Sequence, residues 1–306
     1  MIHDILALYM TFTLYLKGYC PTYEKGRDME NKKKMIFNVL FLVLIFAGTI
    51  YGVFHGKDLG QIADIMKTVN PWWLIPGVVC VVVFIWGESV IIHYMMSKLG
   101  VRIRRGTCFL FSSVGFFFSC ITPSASGGQP AQIYYMKKKK IPIPVSTQVL
   151  LIVTITYKLV LVLLGLGIAI FGQKFIHTYI DDVQWVFYLG LMLNVVCVAG
   201  MVLFAFHPSL AKAFVVKGSR LLEKMRFLRH KKSREEKLAA SMEKYNQTAD
   251  YMMGHFGMLV IVFLITLVQR FSLFAATWFV YKAFGLAGAS AGLIILMQLS
   301  LIHISE

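Results

Sequence analysis

The chain has 306 residues, of which 58% are hydrophobic and only 15% are charged, and its formal net charge is +16. Soluble globular domains carry about 25% charged and about 45–50% apolar residues, so this composition excludes a soluble protein and indicates a polytopic membrane protein. The surplus of lysine and arginine lies in a few loops between apolar segments, as the positive-inside rule describes. We therefore expect an anionic lipid surface as its partner, and no directly bound nucleic acid.

The first 31 residues precede the first apolar span and lack the features of a signal peptide. Their apolar part is interrupted by threonines and tyrosines, and it has neither a basic start nor a small-residue cleavage site. Met29, which is followed by a polar and lysine-rich segment, is a natural start for a membrane protein. Residues 1–31 are therefore expected to form an N-terminal extension, of which residues 1–28 are either dispensable or an artefact of the start assignment. N-terminal sequencing of the native protein tests this, and a mature end at Met1 would contradict it.

Six apolar segments are each expected to form a membrane-spanning helix. The predicted spans are residues 35–54, 72–96, 145–171, 183–206, 256–281 and 286–301. A helix needs about 20 apolar residues to cross the hydrocarbon layer. The basic clusters place the N-terminus and residues 207–255 on the cytoplasmic side. The predicted fold is all-α, with a first membrane bundle over residues 32–206 and further spans over residues 256–306.

Residues 107–136 interrupt the pattern of full spans. An uncharged apolar run leads into a segment rich in proline, serine and glycine, and four lysines follow. The stretch before the lysines is too short for a second full crossing, which favours a re-entrant hairpin over two short crossings of a thinned bilayer. Because lipid does not tolerate exposed irregular backbone, the break must be buried in protein or line a wet cavity.

The break supplies the candidate substrate-binding residues. Its serine and glutamine side chains offer hydrogen bonds, and its glycines allow backbone N–H groups to approach a ligand closely. If Pro130 lies in the first turn of the returning helix, the positive N-terminus of that helix points into the cavity and attracts anions. A tight structural turn is the alternative interpretation. The candidates are Pro123, Ser124, Ser126, Gly127, Gly128 and Gln129.

Glu88, Lys158 and Arg270 are the charged residues well inside predicted spans. An intramembrane charge costs at least about 2.5–3.5 kcal/mol on insertion scales, so each of the three is a functional candidate. Structural alternatives stay open, because Lys158 could snorkel along its neighbours and Arg270 could form a purely structural ion pair with Glu88. His93 lies nearer the end of its span and is expected to be an interfacial or satisfied histidine.

The long polar segment, residues 207–255, is expected to be a basic cytoplasmic helix. Apolar residues recur along it at helical spacing and form one stripe. Two roles are open for this helix, which could lie on anionic lipid headgroups or pack on the membrane bundle. The stripe consists of Leu238, Met242, Tyr245, Ala249 and Met252.

Residues 117–134, FFSCITPSASGGQPAQIY, resemble the Pro-Ser-x-x-Gly-Gly element of a known family. This is the transmembrane region of the lysylphosphatidylglycerol synthases and flippases of the multiple peptide resistance factor type, and the resemblance covers residues 32–301. It implies a helical domain of the bacterial plasma membrane that acts on anionic or aminoacylated phospholipid and contributes to cationic peptide resistance. The soluble synthase domain and the second Pro/Gly-rich element of two-part members are missing here, so a C-terminally truncated chain is expected.

The function predicted from the residues and the resemblance is binding and translocation of anionic or aminoacylated phospholipid. The alternatives are a phosphatidylglycerol lysyltransferase and a non-catalytic membrane partner of a separate synthase. The sequence has no Walker loop, no H-E-x-x-H, no G-x-S-x-G and no D-x-D-like carboxylate pair, so no catalytic residue, metal or cofactor is predicted. Its cysteines form no C-x-x-C motif and are expected to act as small buried hydrophobes.

Overall fold

The computed structural model describes residues 64, 67–122, 125–207 and 232–305. These ranges contain helices and connecting turns and no strand, which confirms the predicted all-α class. A short 3-10 helix spans Asp181–Val183. The α-helices are α1 (Pro71–Lys98), α2 (Arg105–Ile121), α3 (Gly128–Lys138), α4 (Ile143–Phe171), α5 (Gln173–Tyr179), α6 (Gln184–Phe206), α7 (Lys232–Gly254), α8 (Phe256–Ala283) and α9 (Ala291–Ser305).

Four helices of the described ranges, α1, α4, α6 and α8, are long and apolar enough to cross a membrane. They correspond to four of the six predicted spans and make the protein a multi-pass membrane protein. The predicted span 286–301 corresponds to α9, which is apolar but shorter than the other four. The predicted span 35–54 and the extension 1–31 lie outside the described residues.

Local sequence sets the limits of the first long helix. The side chain of Asn70 accepts a hydrogen bond from the Trp72 N–H, and Pro71 occupies the first helical position, where its missing N–H costs nothing. The helix ends before Gly100, whose φ of 76° is in the left-handed region that favours glycine. The Asn70 N–H also donates to the Ala283 carbonyl at 2.8 Å, so the start of α1 lies beside the end of α8.

A cluster of buried side chains at one end of the bundle joins most of the helices. It combines the end of α1, the start of α2, the end of α3, the start of α4 and the end of α6. Lys98, Arg105, Lys137 and Lys138 belong to the adjoining helix ends, so these basic residues lie at the same end of the bundle. Members of the cluster include Met95, Phe111, Met136, Val149 and Ala205.

A second buried cluster lies toward the opposite end. It joins the second half of α4 to α5, the start of α6, α8 and α9, with Ile176 and Phe187 fully buried. The sequence analysis did not predict α5, which is short and carries only part of this core. The two clusters show that α4 and α6 run the length of the bundle in opposite directions.

Helix α7 packs on the basic end of the bundle through its apolar stripe. Met242, Tyr245, Ala249 and Met252 are buried, and the Tyr245 hydroxyl donates to the Phe204 carbonyl at 3.2 Å. The predicted helix within residues 207–255 therefore has its stripe against protein, and the arrangement with the stripe on lipid headgroups is not the observed one. The side chain of Leu238, the first residue of the stripe, lies outside the described residues.

Candidate functional site

Helices α2 and α3 form a hairpin whose connecting turn is the predicted break. The Gly127 N–H donates to the Thr122 hydroxyl oxygen at 2.9 Å, and that hydroxyl donates to the Phe118 carbonyl at 2.6 Å. Ala125 has a φ of 55°, an uncommon conformation for a residue with a side chain. The turn is therefore closed by its own hydrogen bonds.

Four of the six predicted substrate-binding residues, Ser126, Gly127, Gly128 and Gln129, belong to the described residues and lie in or beside this turn. Pro123 and Ser124 lie outside the described residues, while Ser126 is half-buried and Gln129 follows in the first turn of α3. Pro130 also lies in that first turn, as the sequence analysis required for a helix N-terminus at the break. Their contact with a ligand stays a prediction.

Glycines allow the two arms of the hairpin to touch. A Cβ atom at Gly115 of α2 would overlap the side chain of Gln132. A Cβ atom at Gly128 of α3 would overlap the Ser119 hydroxyl and lie 2.7 Å from the Gly115 carbonyl oxygen. The glycine at 128, predicted to admit a ligand, therefore has a packing role against α2.

Gln129 fixes the depth of the break within the bundle. Its Nε2 atom donates to the Thr154 hydroxyl oxygen on α4 at 2.7 Å. Thr154 lies about 16 Å along α4 from the first residue, Ile143, at 1.5 Å per residue. Thr154 is the twelfth of the 29 residues of α4. The irregular backbone is thus held against protein near the middle of a spanning helix, which is where such a break is tolerated.

Gln132 joins the returning arm of the hairpin to the carboxylate on α1. Its Nε2 atom donates to Glu88 Oε1 at 2.6 Å, and the residue is only 4% exposed. An amide donor and a carboxylate acceptor satisfy each other in a place where either one alone would be costly. The carboxylate of Glu88 therefore belongs to the same polar cluster as the break.

Arg270 of α8 brings a positive charge to the same place. Its guanidinium carbon lies 4.4 Å from the centroid of the Tyr157 ring and 5.1 Å from that of Phe84, which are cation–π distances. The guanidinium also interacts electrostatically with the Glu88 carboxylate. The structure thus places two of the three predicted intramembrane charges together, beside the hairpin.

Lys158 is buried in the bundle rather than snorkelling. It is 1% exposed, its Nζ atom lies 3.5 Å from Asn194 Oδ1 on α6, and the same atom is 5.5 Å from the Tyr157 ring centroid. The Tyr157 ring therefore contacts both cations, Lys158 on one helix and Arg270 on another. This ring connects the third charge to the cluster of Glu88 and Arg270.

Several polar partners in the site were not predicted from the sequence. Gln132, Thr154, Tyr157 and Asn194 were not singled out, because nothing local distinguishes them from other polar residues of a span. One signal was present for Gln132, since it follows Gln129 by three residues and so shares its helix face.

Other predicted polar residues have ordinary structural environments. His93 is half-buried, with its Nδ1 atom 3.9 Å from the sulfur of Cys108, as expected of a satisfied histidine. Cys108 and Cys197 are buried, in agreement with their predicted role, and Cys80 is half-buried. Cys120, however, is exposed, because it lies on the outer face of α2.

One comparison with known proteins gives a match, and it is to a family model. A family model described as "Lysylphosphatidylglycerol synthase TM region" matches residues 36–304, a range that contains the hairpin and all three intramembrane charges. Searches of curated proteins and of solved structures give no match. Because the family match covers most of the 306 residues, the chain belongs to the family of the lysylphosphatidylglycerol synthase transmembrane region.

Proposed function

We propose that the chain binds the headgroup of an anionic or aminoacylated phospholipid inside the bundle and moves it across the bilayer. The observation that carries this proposal is the α2–α3 hairpin, whose break lies about halfway along α4 beside Glu88 and Arg270. Broken helices at mid-membrane depth are a common means of holding polar substrates in transporters. Membership of the family supports a lipid as the substrate.

The charges of the site suit the chemistry of such a headgroup. A phosphodiester carries a negative charge, which a guanidinium or an ammonium recognises, so Arg270 and Lys158 are suited to the phosphate. An aminoacylated headgroup adds a positive amine, which a carboxylate such as Glu88 can accept. Together, the three side chains can replace part of the hydration that the headgroup loses on leaving the membrane surface.

The biological setting follows from the same proposal. Basic helix ends gather at one end of the bundle, which fits the cytoplasmic side of a bacterial plasma membrane and its anionic lipids. Moving an aminoacylated lipid to the outer leaflet makes that leaflet less negative. We therefore expect expression of the chain to lower sensitivity to cationic peptides.

Reconstitution tests the role of the charges. The purified chain is placed in vesicles with a headgroup-labelled lysyl-phosphatidylglycerol, and the rate at which the label changes leaflet is measured. Arg270→Gln is expected to slow transfer at least tenfold, because one ionic hydrogen bond contributes about 1.5–3 kcal/mol. Lys174→Gln, at an exposed position on α5, is the matched control and should leave the rate unchanged. Equal rates in the two variants would argue against the site.

The transferase alternative has its own assay. The protein is incubated with charged tRNA and phosphatidylglycerol, and lysyl-phosphatidylglycerol is quantified. We expect no product from this chain, and a clear product would replace translocation by lysyl transfer as the preferred function.

A partner role for residues 207–255 predicts that their deletion abolishes association with a separate synthase.

A further inference from the structure

Two glutamines on one face of α3 form hydrogen bonds that link the hairpin to the rest of the bundle. Gln129 donates to the Thr154 hydroxyl on α4 at 2.7 Å, and Gln132 donates to the Glu88 carboxylate on α1 at 2.6 Å. The two residues are three positions apart, so they lie side by side on the inner face of the helix. Tyr134, on the outer face, is exposed.

The two arms of the hairpin pack closely against each other, and α2 also packs along α1. The side chain of Gln132 fills the space beside Gly115, and Gly128 lies against Ser119. Because the arms interlock through these close contacts, α2 and α3 are expected to move as one unit. Releasing the two glutamine hydrogen bonds would therefore loosen the hairpin as a unit on the bundle, against which Phe111 of α2 and Met136 of α3 also pack.

The two hydrogen bonds differ in the charge of the acceptor. Thr154 offers a neutral hydroxyl, which itself donates to the Leu150 carbonyl at 2.9 Å, whereas Glu88 offers a carboxylate that also interacts with Arg270. Hydrogen bonds to an ionised group are stronger than neutral ones, and they weaken when the charge is shared with a competing cation. Of these two hydrogen bonds, only the one from Gln132 is expected to weaken when a charged ligand enters the site.

We propose that Gln132 is a positioning residue that couples the hairpin to Glu88. When a cationic group of a lipid headgroup binds the Glu88 carboxylate, Gln132 loses its hydrogen bond and the hairpin is released. The coupling follows from the contacts of Gln132 alone, and only the identity of the cation rests on the proposed function. The hairpin is closed while Gln132 donates to the free carboxylate. It opens when an ammonium on the ligand takes over the carboxylate oxygens.

Cys108 provides a native reporter of hairpin opening. It lies on the first turn of α2, it is 0% exposed, and its side chain belongs to the buried cluster at the basic end. Opening of the hairpin would expose its thiol to a water-soluble maleimide. The labelling rate is measured on the full chain in phosphatidylglycerol nanodiscs, with serine at Cys20, Cys80, Cys120 and Cys197.

A double-mutant cycle isolates the coupling. Gln132→Leu is expected to speed labelling of Cys108 about ten- to hundredfold, the effect of losing a hydrogen bond to a charged group. Glu88→Gln, which keeps the shape and removes the charge, should speed it about tenfold in the native background and not at all in the Gln132→Leu background. In the Gln129→Leu background, the matched control, the Glu88→Gln effect should keep its full size.

An exchange of the two side chains covers the case in which Gln132→Leu does not fold. The variant Glu88→Gln with Gln132→Glu places the carboxylate on α3 and the amide on α1, so the hydrogen bond is restored. Labelling should return to within about threefold of the native rate, whereas Gln132→Glu alone should label fast because two carboxylates then face each other. Fast labelling of the exchanged variant would overturn the proposal.

The ligand arm uses nanodiscs in which lysyl-phosphatidylglycerol replaces phosphatidylglycerol. Labelling of the native background should speed up, and labelling of Gln132→Leu should not change. Equal effects of Glu88→Gln in the native and Gln132→Leu backgrounds would show that Gln132 transmits nothing. The labelling does not require transport, so loss of coupling refutes this inference, whereas absence of lipid transfer in vesicles refutes the proposed function separately.

Discussion

Gln132 Nε2 and Glu88 Oε1 are 2.6 Å apart, and this hydrogen bond links the returning arm of a broken helical hairpin to a carboxylate on α1. An unpaired amide or carboxylate at this depth would cost several kcal/mol. The contact satisfies both groups and fixes the carboxylate beside Arg270. A polar centre is thereby built where three helices meet, at the level of the break.

The close contact between the hairpin arms predicts a difference between two glycines of α2. Gly115→Ala should lower stability by about 1–3 kcal/mol, because its Cβ atom would displace the Gln132 side chain. Gly106, near the start of the same helix, has open space around its Cβ position, so Gly106→Ala should be neutral or stabilising. Thermal unfolding in detergent measures both, and equal shifts in melting temperature would show that the arms are not interlocked.

The docking of α7 predicts a cost for losing one hydroxyl. Tyr245→Phe removes the donor to the Phe204 carbonyl and should destabilise the α7–α6 contact by about 1 kcal/mol. Faster amide exchange across α7 than across α4 would report this loss. Tyr134→Phe, at an exposed position, is the control and should exchange like the native protein.

The same tyrosine predicts a dependence on alkaline pH. Burial raises the pKa of the Tyr245 phenol above its usual range, so the folded state holds the proton more tightly than the unfolded state. The contribution of this proton to the free energy of unfolding is complete below the ordinary tyrosine pKa of about 10, and it declines as the pH rises above that value. A melting temperature that falls less steeply above this pH in Tyr245→Phe than in the native chain confirms the prediction; identical slopes contradict it.

Lys158 predicts a separation of stability from transport. Replacing a buried ammonium by an apolar side chain of similar length removes the cost of desolvating it, so Lys158→Met should keep or raise the melting temperature. If Lys158 binds the headgroup phosphate, the same variant should slow lipid transfer about tenfold or more. Lys174→Met, at an exposed position, should change neither quantity. Unchanged transfer in Lys158→Met would make this lysine a structural residue.

The long helices and the break could be predicted because their signals are local. Apolar runs with proline or tryptophan near their starts, each interrupted by one charge well inside the run, define α1 and α4 to within a few residues. The Pro/Gly-rich segment defines the end of α2. A pairing of Glu88 with Arg270 was one of the alternatives that the sequence left open, since intramembrane charges are usually paired.

The partners inside the site could not be predicted because they depend on how distant helices cross. Gln132 and Glu88 are 44 positions apart in the sequence, and no periodicity indicates that their helices meet. The burial of Lys158 likewise follows from α6 covering that face of α4. For Gly128, the sequence indicated that a residue without a side chain is required. Only the fold shows that the requirement comes from the contact with Ser119 of α2.

The most direct test of lipid translocation through the hairpin is the initial rate at which headgroup-labelled lysyl-phosphatidylglycerol changes leaflet in vesicles containing the full chain. The native protein should accelerate transfer clearly above the rate of protein-free vesicles. Gly128→Leu, which forces the hairpin arms apart, should return the rate to that baseline, while Gly106→Leu should not. A native rate equal to that of protein-free vesicles, or transfer unchanged by Gly128→Leu, would contradict the proposed function.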